Sequence, residues 1–318
     1  MKKLLSVNMI LVLLALCGCT SPAENISETR FLFDTVINLT ADCSEETMDG
    51  AFALCEKYDA LFSRTNKKSE VYALNNSDDF LEVSPDTKAL LERAIYYCKL
   101  SGGEYDITIC PVSSLWDFEG TEIPDRKEIA EALKNVDYQA IEVVGNTVNL
   151  QGKQIDLGSI AKGYIAEKLV EYFQKNNVKK GIINLGGNVR VFGKKEYNVG
   201  IKKPYSADEN AATVRVKNMS VVTSGVYERY IEAGGKKYHH ILDTKTGMSK
   251  ETDLISATII GKNSTDCDAL STICILLGKE KAKKLIEETD GYEAVFIDEN
   301  GSMLYTSGLT KENGVFTL

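Results

Sequence analysis

Histidine is nearly missing from this chain: there are two among 318 residues, side by side as His239 and His240. There is no CxxC pair and no Cys/His cluster, which excludes a zinc centre. Positive charge is also short, with 37 Lys and Arg against 46 Asp and Glu for a net −9. That balance argues against nucleic acid and against docking on anionic lipid. An anionic ligand must then be held by local devices: backbone amides, a metal and a few lysines. Beyond the first 18 residues no apolar run approaches the roughly 20 residues of a membrane-spanning helix. There is no repeat of fixed period and no low-complexity tract.

What is present begins with a targeting leader. Lys2 and Lys3 precede an apolar run over residues 9–16, followed by Leu16-Cys17-Gly18-Cys19. That ending resembles a bacterial lipobox, with cleavage after Gly18 and a lipid on Cys19. Residues 19–28, polar with one Pro, are expected to form a tether. The folded domain would then be residues 29–318, exported and anchored to the cell membrane on its extracytoplasmic face. Loss of the two leader lysines with no acid takes the charge from −9 to −11. Roughly 290 residues remain, enough for one large domain or two intimate lobes. Cys43, Cys55, Cys98, Cys110, Cys267 and Cys274 lie beyond Cys19. Their even number allows disulfides, but most sit among apolar residues, where a free thiol behaves as a small hydrophobe. Mostly buried free thiols are expected.

Residues 30–40 are β-rich, and 45–62 repeat apolar residues at helical spacing. Ser84 and Pro85 open a helix that runs to about residue 100 and stops at Ser101-Gly102-Gly103. A charged helix is expected over 126–133, then a hairpin turned at Gly145-Asn146. Residues 154–157 read as a strand that breaks at Gly158-Ser159 and enters a helix through Lys162 and Gly163. Strands are expected at 182–185, 197–202, 214–216, 220–222, 255–260, 294–297 and 303–306, and a helix at 279–288. Strands and helices mix without regular βαβ alternation, so the fold class is α+β.

The stretch 222–278 carries the most chemistry. Residues 238–242 read as a strand, which places His240 on one face with Tyr238 and Leu242, and His239 on the other with Ile241 and Asp243. A helix over about 264–277 stacks Asp268 and Thr272 one turn apart. Asp268 lies among apolar residues, where a carboxylate needs a partner. A carboxylate and a hydroxyl on one face suit a hard cation such as Mg²⁺, which takes few protein ligands and fills its sphere with phosphate and water oxygens. Asp266 points elsewhere and is expected to partner the helix dipole. One packed and one exposed histidine is the plainer account of His239 and His240. Their nearness to Asp243 and Thr246 makes a general base tuned near neutral pH an equal reading.

The turn Gly158–Gly163 joins a strand to a helix, where free amides and the dipole favour an anion and Lys162 adds charge. It matches neither G-x-G-x-x-G nor G-x-x-x-x-G-K-[ST], so neither a Rossmann nor a P-loop site follows. Taken alone, a tight structural bend accounts for it better. Asn184-Leu185-Gly186-Gly187-Asn188 and Thr223-Ser224-Gly225 are likewise ordinary turns unless a ligand approaches their backbones.

Together these pieces resemble the ApbE family, magnesium-dependent FAD:protein FMN transferases. The matching stretches are Phe62-Ser63 with Ser69-Glu70 and Leu74-Asn75, Tyr105-Asp106-Ile107-Thr108 through Pro111 to Trp116, Asp156 through Tyr164, Asn184 through Asn188, Thr223-Ser224-Gly225, Tyr238 through Asp243 with Thr246-Gly247, and Asp268 with Thr272. They span nearly all of the chain after the leader, in the family's order. The resemblance implies a T-fold-related α+β fold of mixed and antiparallel sheets with packed helices, in two intimate lobes with the active-site cleft between them. It implies that Asp268 and Thr272 bind magnesium with the Ala161 carbonyl. Lys162 and Gly158 would lie along the FAD pyrophosphate, and Ser224, Gly225 and Asp243 would face the nucleotide. Thr35, Ser63, Asp106, Asn184, Gly186 and Gly187 would complete the cofactor site, and His240, with Asp268, would be catalytic. Three departures stand out: Phe33-Asp34-Thr35 where the family has Met-Gly-Thr, Ser159 for a glycine, and Thr244 for the proline of Asp-Pro-x-Thr-Gly.

The implied reaction is attack by a Thr or Ser hydroxyl of an acceptor protein on the FMN-side phosphorus of FAD. AMP leaves, and FMN stays joined by a phosphoester. The implied acceptors are exported or membrane redox flavoproteins, such as subunits of sodium-pumping electron-transfer complexes. The sequence leaves two rivals open: an FAD pyrophosphatase, with water in place of the acceptor, and a surface lipoprotein that binds flavin without catalysis.

Overall fold

The computed structural model describes residues 24–318. The leader, Cys19 and the first half of the expected tether lie outside the described residues. The framework is one antiparallel sheet of eight strands: Glu24–Leu32, Thr35–Cys43, Gly181–Asn184, Asn188–Phe192, Ser220–Gly225, Leu254–Gly261, Tyr292–Asp298 and Met303–Tyr305. Their spatial order is their chain order, so the sheet is a meander. The helices and most of the remaining strands are inserted into its connections, and Thr310–Glu312 and Val315–Thr317 follow its last strand.

The helices are α1 (Glu45–Phe62), α2 (Glu70–Asn75), α3 (Pro85–Leu100), α4 (Cys110–Ser113), α5 (Arg126–Leu133), α6 (Ala161–Lys175), α7 (Ser264–Leu277) and α8 (Lys279–Glu287). The first six enter between the second and third strands of the sheet, the last two between the sixth and seventh. Period-two alternation sorts the sheet's two faces. Ile37, Leu39, Ile183, Val222, Ile259 and Phe296 are buried against the helices. Their neighbours Val191, Val221, Ile260, Val295 and Ile297 are buried on the opposite face. There they meet Ile201, Val214 and Phe316 of a four-stranded sheet built from Tyr197–Lys202, Asn210–Val216, Thr310–Glu312 and Val315–Thr317. A separate small core joins Val112, Trp116 and Ile129 to Ile231 and Leu242. All six described cysteines are buried and unpaired.

The structure corrects several sequence expectations. The tether assignment fails at Glu24: residues 24–28 pair with 39–43 as the start of the first strand, their alternation carried by half-buried Ile26 and Glu28. The β-rich segment 30–40 is two strands, because Phe33 and Asp34 adopt φ of 57° and 55° and close a two-residue hairpin. Residues 154–157 are extended but join no sheet. Instead the Asn75 side chain donates to the Ile155 carbonyl at 2.9 Å and accepts from its amide at 2.8 Å, taking the part of a neighbouring strand.

Helix α7 decides where the site lies. Twelve of its 14 residues are buried, so it has no wet face on which a carboxylate can be solvated. Its start runs against the start of α6, and Gly163 permits the approach: a Cβ there would stand 2.6 Å from the Thr265 Cα and closer still to the Ser264 carbonyl. Backbone cannot yield as a flexible side chain can. Gly163→Ala should cost about 1–3 kcal/mol, the usual range for overpacking a close-packed interior. Urea unfolding of the variant against the parent measures it, and unchanged stability would contradict this packing.

Candidate active site

Asp268, on α7, is buried, and its Oδ2 accepts the Gly163 amide at 2.8 Å. The carboxylate therefore sits at the N-terminus of α6, where unpaired amides and the helix dipole favour negative charge. Burial raises its pKa above the ordinary carboxylate value; the Lys162 ammonium, the Gly163 amide and the nearby Asn188 amide offset part of that rise. Asn188 is itself buried, accepts Ser264 Oγ through Oδ1 at 2.8 Å, and has an amide nitrogen with no well-formed hydrogen bond.

One turn on, Thr272 joins a chain of hydroxyls. Ser271 Oγ donates to the Asp268 carbonyl at 2.8 Å, so its single proton is committed. Ser224 must therefore donate to Ser271 at 2.7 Å, which leaves Ser224 Oγ to accept from Thr272 Oγ1 at 3.2 Å. The lone pairs of the Thr272 oxygen stay free for a cation. Ala161 is the first residue of α6, two before the glycine that touches Asp268. A carboxylate, a hydroxyl and a backbone carbonyl are the hard oxygen donors a magnesium ion takes. Among the described residues no three His, Cys, Asp or Glu side chains cluster around a cation-sized space. The donor set with one acid fits the implied metal.

The two glycine turns reach the same end of the sheet. Gly186 and Gly187 have φ of 69° and 89°, a region that favours glycine, and Gly186 leaves no room for a Cβ beside Thr35. The Gly187 carbonyl accepts the Thr223 amide at 3.0 Å, one residue before Ser224. The Asn184 side chain accepts the Gly186 amide at 3.2 Å and fixes the turn. Gly225 ends the Ser220–Gly225 strand against the Tyr227 ring. Thr35, Asn184, Gly186, Gly187, Ser224, Gly225, Ala161, Lys162, Asp268 and Thr272 are thus linked through a few direct contacts. Gly158 donates to Asp156 Oδ1 at 2.8 Å in the turn that enters α6, and is exposed.

The histidine strand ends earlier than expected, at His239. His239 is buried and its Nε2 meets the Lys250 carbonyl at 3.0 Å. His240 turns the other way, edge-on to Phe118, with Nδ1 3.2 Å from the Arg229 carbonyl. A carbonyl only accepts, so Nδ1 carries the proton and Nε2 keeps a free lone pair. Its pKa is not near neutral: burial, Arg229 and the other cations around it, Lys162 included, push it down to about 3. Lys162 thus acts on both Asp268 and His240.

Other expected site residues are engaged locally. Asp243 accepts Lys250 Nζ at 2.7 Å and the amides of Lys245 and Thr246, which hold its carboxyl below the usual range against the opposing effect of burial. Asp106 accepts from Thr108 and from the Tyr138 amide, and Ser63 caps the end of α1 over the Thr65 and Asn66 amides. Asp266 is no simple dipole partner: it is buried, paired with Arg93 at 2.6 Å and accepting from Tyr292. Sequence reasoning missed Asn188, Ser271 and Glu167. Glu167 accepts the Ser264 amide at 2.7 Å, pairs with buried Arg190, and so ties α6 to the start of α7. Only Asn188 carried a signal, as the last residue of the double-glycine turn.

Comparison with known proteins gives one family. The ApbE family pattern matches residues 33–296. A Treponema pallidum (strain Nichols) protein named FAD:protein FMN transferase is 35% identical over 288 residues, covering 82% of this chain and 80% of its own. One of the same name from Klebsiella pneumoniae (strain 342) is 33% identical over 266 residues, covering 80% and 83%. The crystal structure of an ApbE protein from Thermotoga maritima superposes with a TM-score of 0.82 at 28% identity, covering 90% of this chain and 98% of that one.

A carboxyl whose pKa is raised by folding loses stability as pH climbs through the interval above its ordinary value, so at neutral pH the buried Asp268 carboxyl is a cost. Asp268→Asn removes that charge and keeps the shape. In chelator at pH 7 it should melt at or above the parent temperature, while turnover with metal falls by about 100-fold or more. A clearly lower melting temperature would contradict the electrostatic account.

Proposed function

The chain belongs to the ApbE family, and from that membership we propose that it is a magnesium-dependent FAD:protein FMN transferase. The observation that carries this reading is the meeting of buried Asp268 with the first turn of α6, flanked by Thr272, Ser224 and the double-glycine turn. Asp268, Thr272 and the Ala161 carbonyl would hold the cation, and a bound divalent ion would supply charge neutralisation for a pyrophosphate. The chain's own groups account for the remaining work. Lys162, the second residue of α6, orients the phosphates through its ammonium. The glycines at 186 and 187 let the backbone come close to the nucleotide. His240 presents Nε2 as proton acceptor for an acceptor hydroxyl, with Nδ1 fixed by the Arg229 carbonyl. That oxygen attacks the FMN-side phosphorus, the anhydride bond breaks, and AMP leaves with the bridging oxygen. The acceptor is an exposed Thr or Ser on an exported or membrane redox flavoprotein. The lipobox-like leader supports a position at the extracytoplasmic membrane face through Cys19.

Incubation with FAD, Mg²⁺ and a candidate acceptor tests the reading. Flavin that stays on the denatured, washed acceptor, with one AMP released per flavin, is expected. Excess EDTA should abolish both. Free FMN and AMP without a labelled acceptor would mean hydrolysis, and unaltered FAD would mean a carrier.

The depressed histidine gives a second expectation. A proton that binds only near pH 3 leaves His240 neutral throughout the ordinary range. Because kcat/KM reports the free enzyme, its pH profile should show no loss from imidazole protonation between pH 8 and 5, whereas an unshifted histidine would break near 6.5. His240→Asn should lower kcat by about 100-fold or more. A break near pH 6.5 that disappears in this variant would overturn the assignment.

A further inference from the structure

The loop that follows His240 carries a substitution that the rest of the structure answers. Thr244 stands where the family has proline, and without proline's fixed φ that turn would be free to sample more conformations. Here the lost rigidity is supplied by side chains. Thr244 Oγ1 donates to the Gly103 carbonyl at 2.9 Å. Lys250 Nζ lies 2.9 Å from Glu104 Oε2 and 2.7 Å from Asp243 Oδ2, with all three side chains less than one-fifth exposed. Lys245 adds a contact to the other Glu104 oxygen, but that side chain is 70% exposed. The Lys250 backbone is committed too: its amide donates to Ile241 and its carbonyl takes His239 Nε2. One residue therefore grips both flanks of His240, Asp243 and Glu104 together.

We propose that Lys250 is a positioning residue for the transfer: its ammonium, clamped between Glu104 and Asp243, latches the 243–250 turn to the 103–104 loop and sets the place of His240. The proposal rests on the reading of His240 as proton acceptor. Lys250 touches no reacting atom and acts through the turn alone. A partly buried pair of this geometry is screened far less than an exposed one, so Lys250 matters and Lys245 does not. Glu104 left without Lys250 would be a poorly solvated, half-compensated carboxylate that pulls the loop toward water.

The chain contains a reporter for this loop. Trp116, the only tryptophan, donates Nε1–H to the Gly247 carbonyl at 3.1 Å and stacks on Phe118, whose ring meets His240. The experiment compares Lys250→Met, Lys250→Arg, Lys245→Met and the double variant Lys250→Met/Glu104→Gln in the full chain. Each is assayed for kcat, for KM of FAD, and for acrylamide quenching of Trp116. Lys250→Met should lower kcat by about tenfold with KM for FAD within about twofold, and should make Trp116 more accessible to quencher. Lys250→Arg, which keeps the charge, should restore most of both. The double variant should recover Trp116 shielding relative to Lys250→Met, because the uncompensated acid is gone. Lys245→Met should match the parent. Parental kcat and parental quenching in Lys250→Met would overturn the latch, as would a loss confined to KM. Failure of the underlying reading looks different: His240→Asn would keep parental turnover while Lys250→Met still exposed Trp116.

Discussion

A carboxylate that cannot reach water organises this protein. Asp268 lies on a helix with almost no exposed surface, and burial pushes its pKa up. Such a group persists only where something else answers its charge. The answers are all in place around it: the Gly163 amide, the field of the α6 N-terminus, the Lys162 ammonium and the Asn188 amide. The first three depend on the closeness of α6 and α7, which depends on a glycine at 163, and Asn188 comes from the sheet. The same arrangement that stabilises the anion leaves it short of full compensation, and a carboxylate in that condition gains most from a cation.

The meander explains how so many separate segments meet there. Because the sheet's strands follow chain order, every insertion leaves from one strand and returns beside it. The hairpin closed at Phe33-Asp34, the double-glycine turn and the end of the Ser220–Gly225 strand emerge at the same end of the sheet, and contacts from Gly186 to Thr35 and from Gly187 to Thr223 join them. The candidate site residues thus stand mostly on rigid strand ends and helix starts, and His240 is left to a looser loop.

Much of this was legible in the sequence, for physical reasons that differ from element to element. Helix α7 was readable because an apolar run surrounds Asp268, and the four-residue spacing then placed Thr272 with Asp268. The glycine turns were visible as breaks, but their convergence was not, since it depends on the pairing of strands far apart in the chain. Residues 154–157 misled because a side-chain amide from Asn75 takes the place of a neighbouring strand, and no local pattern announces that. Residues 24–28 misled in the opposite direction: polar composition suggested a tether, yet pairing with 39–43 needs only the backbone and an occasional half-buried side chain. The protonation of His240 lay wholly beyond sequence, because Arg229 and Lys162 approach it from different insertions.

Histidine 240 illustrates how the two ends of the site constrain each other. Lys162 favours the anionic form of Asp268 and disfavours the cationic form of His240, so one ammonium acts on an acid and on a base. A phosphate anion brought to Lys162 would divert that field from both. On the proposed reading, the histidine would then bind a proton more readily when an acceptor hydroxyl loses one, and the carboxylate would have more need of a cation. In the free protein the base is weak, which spares it from useless protonation; with an anionic substrate beside it, it strengthens. The coupling requires Lys162 to stay near both groups, and its place at the second residue of α6, beside the glycine whose amide meets Asp268, provides that.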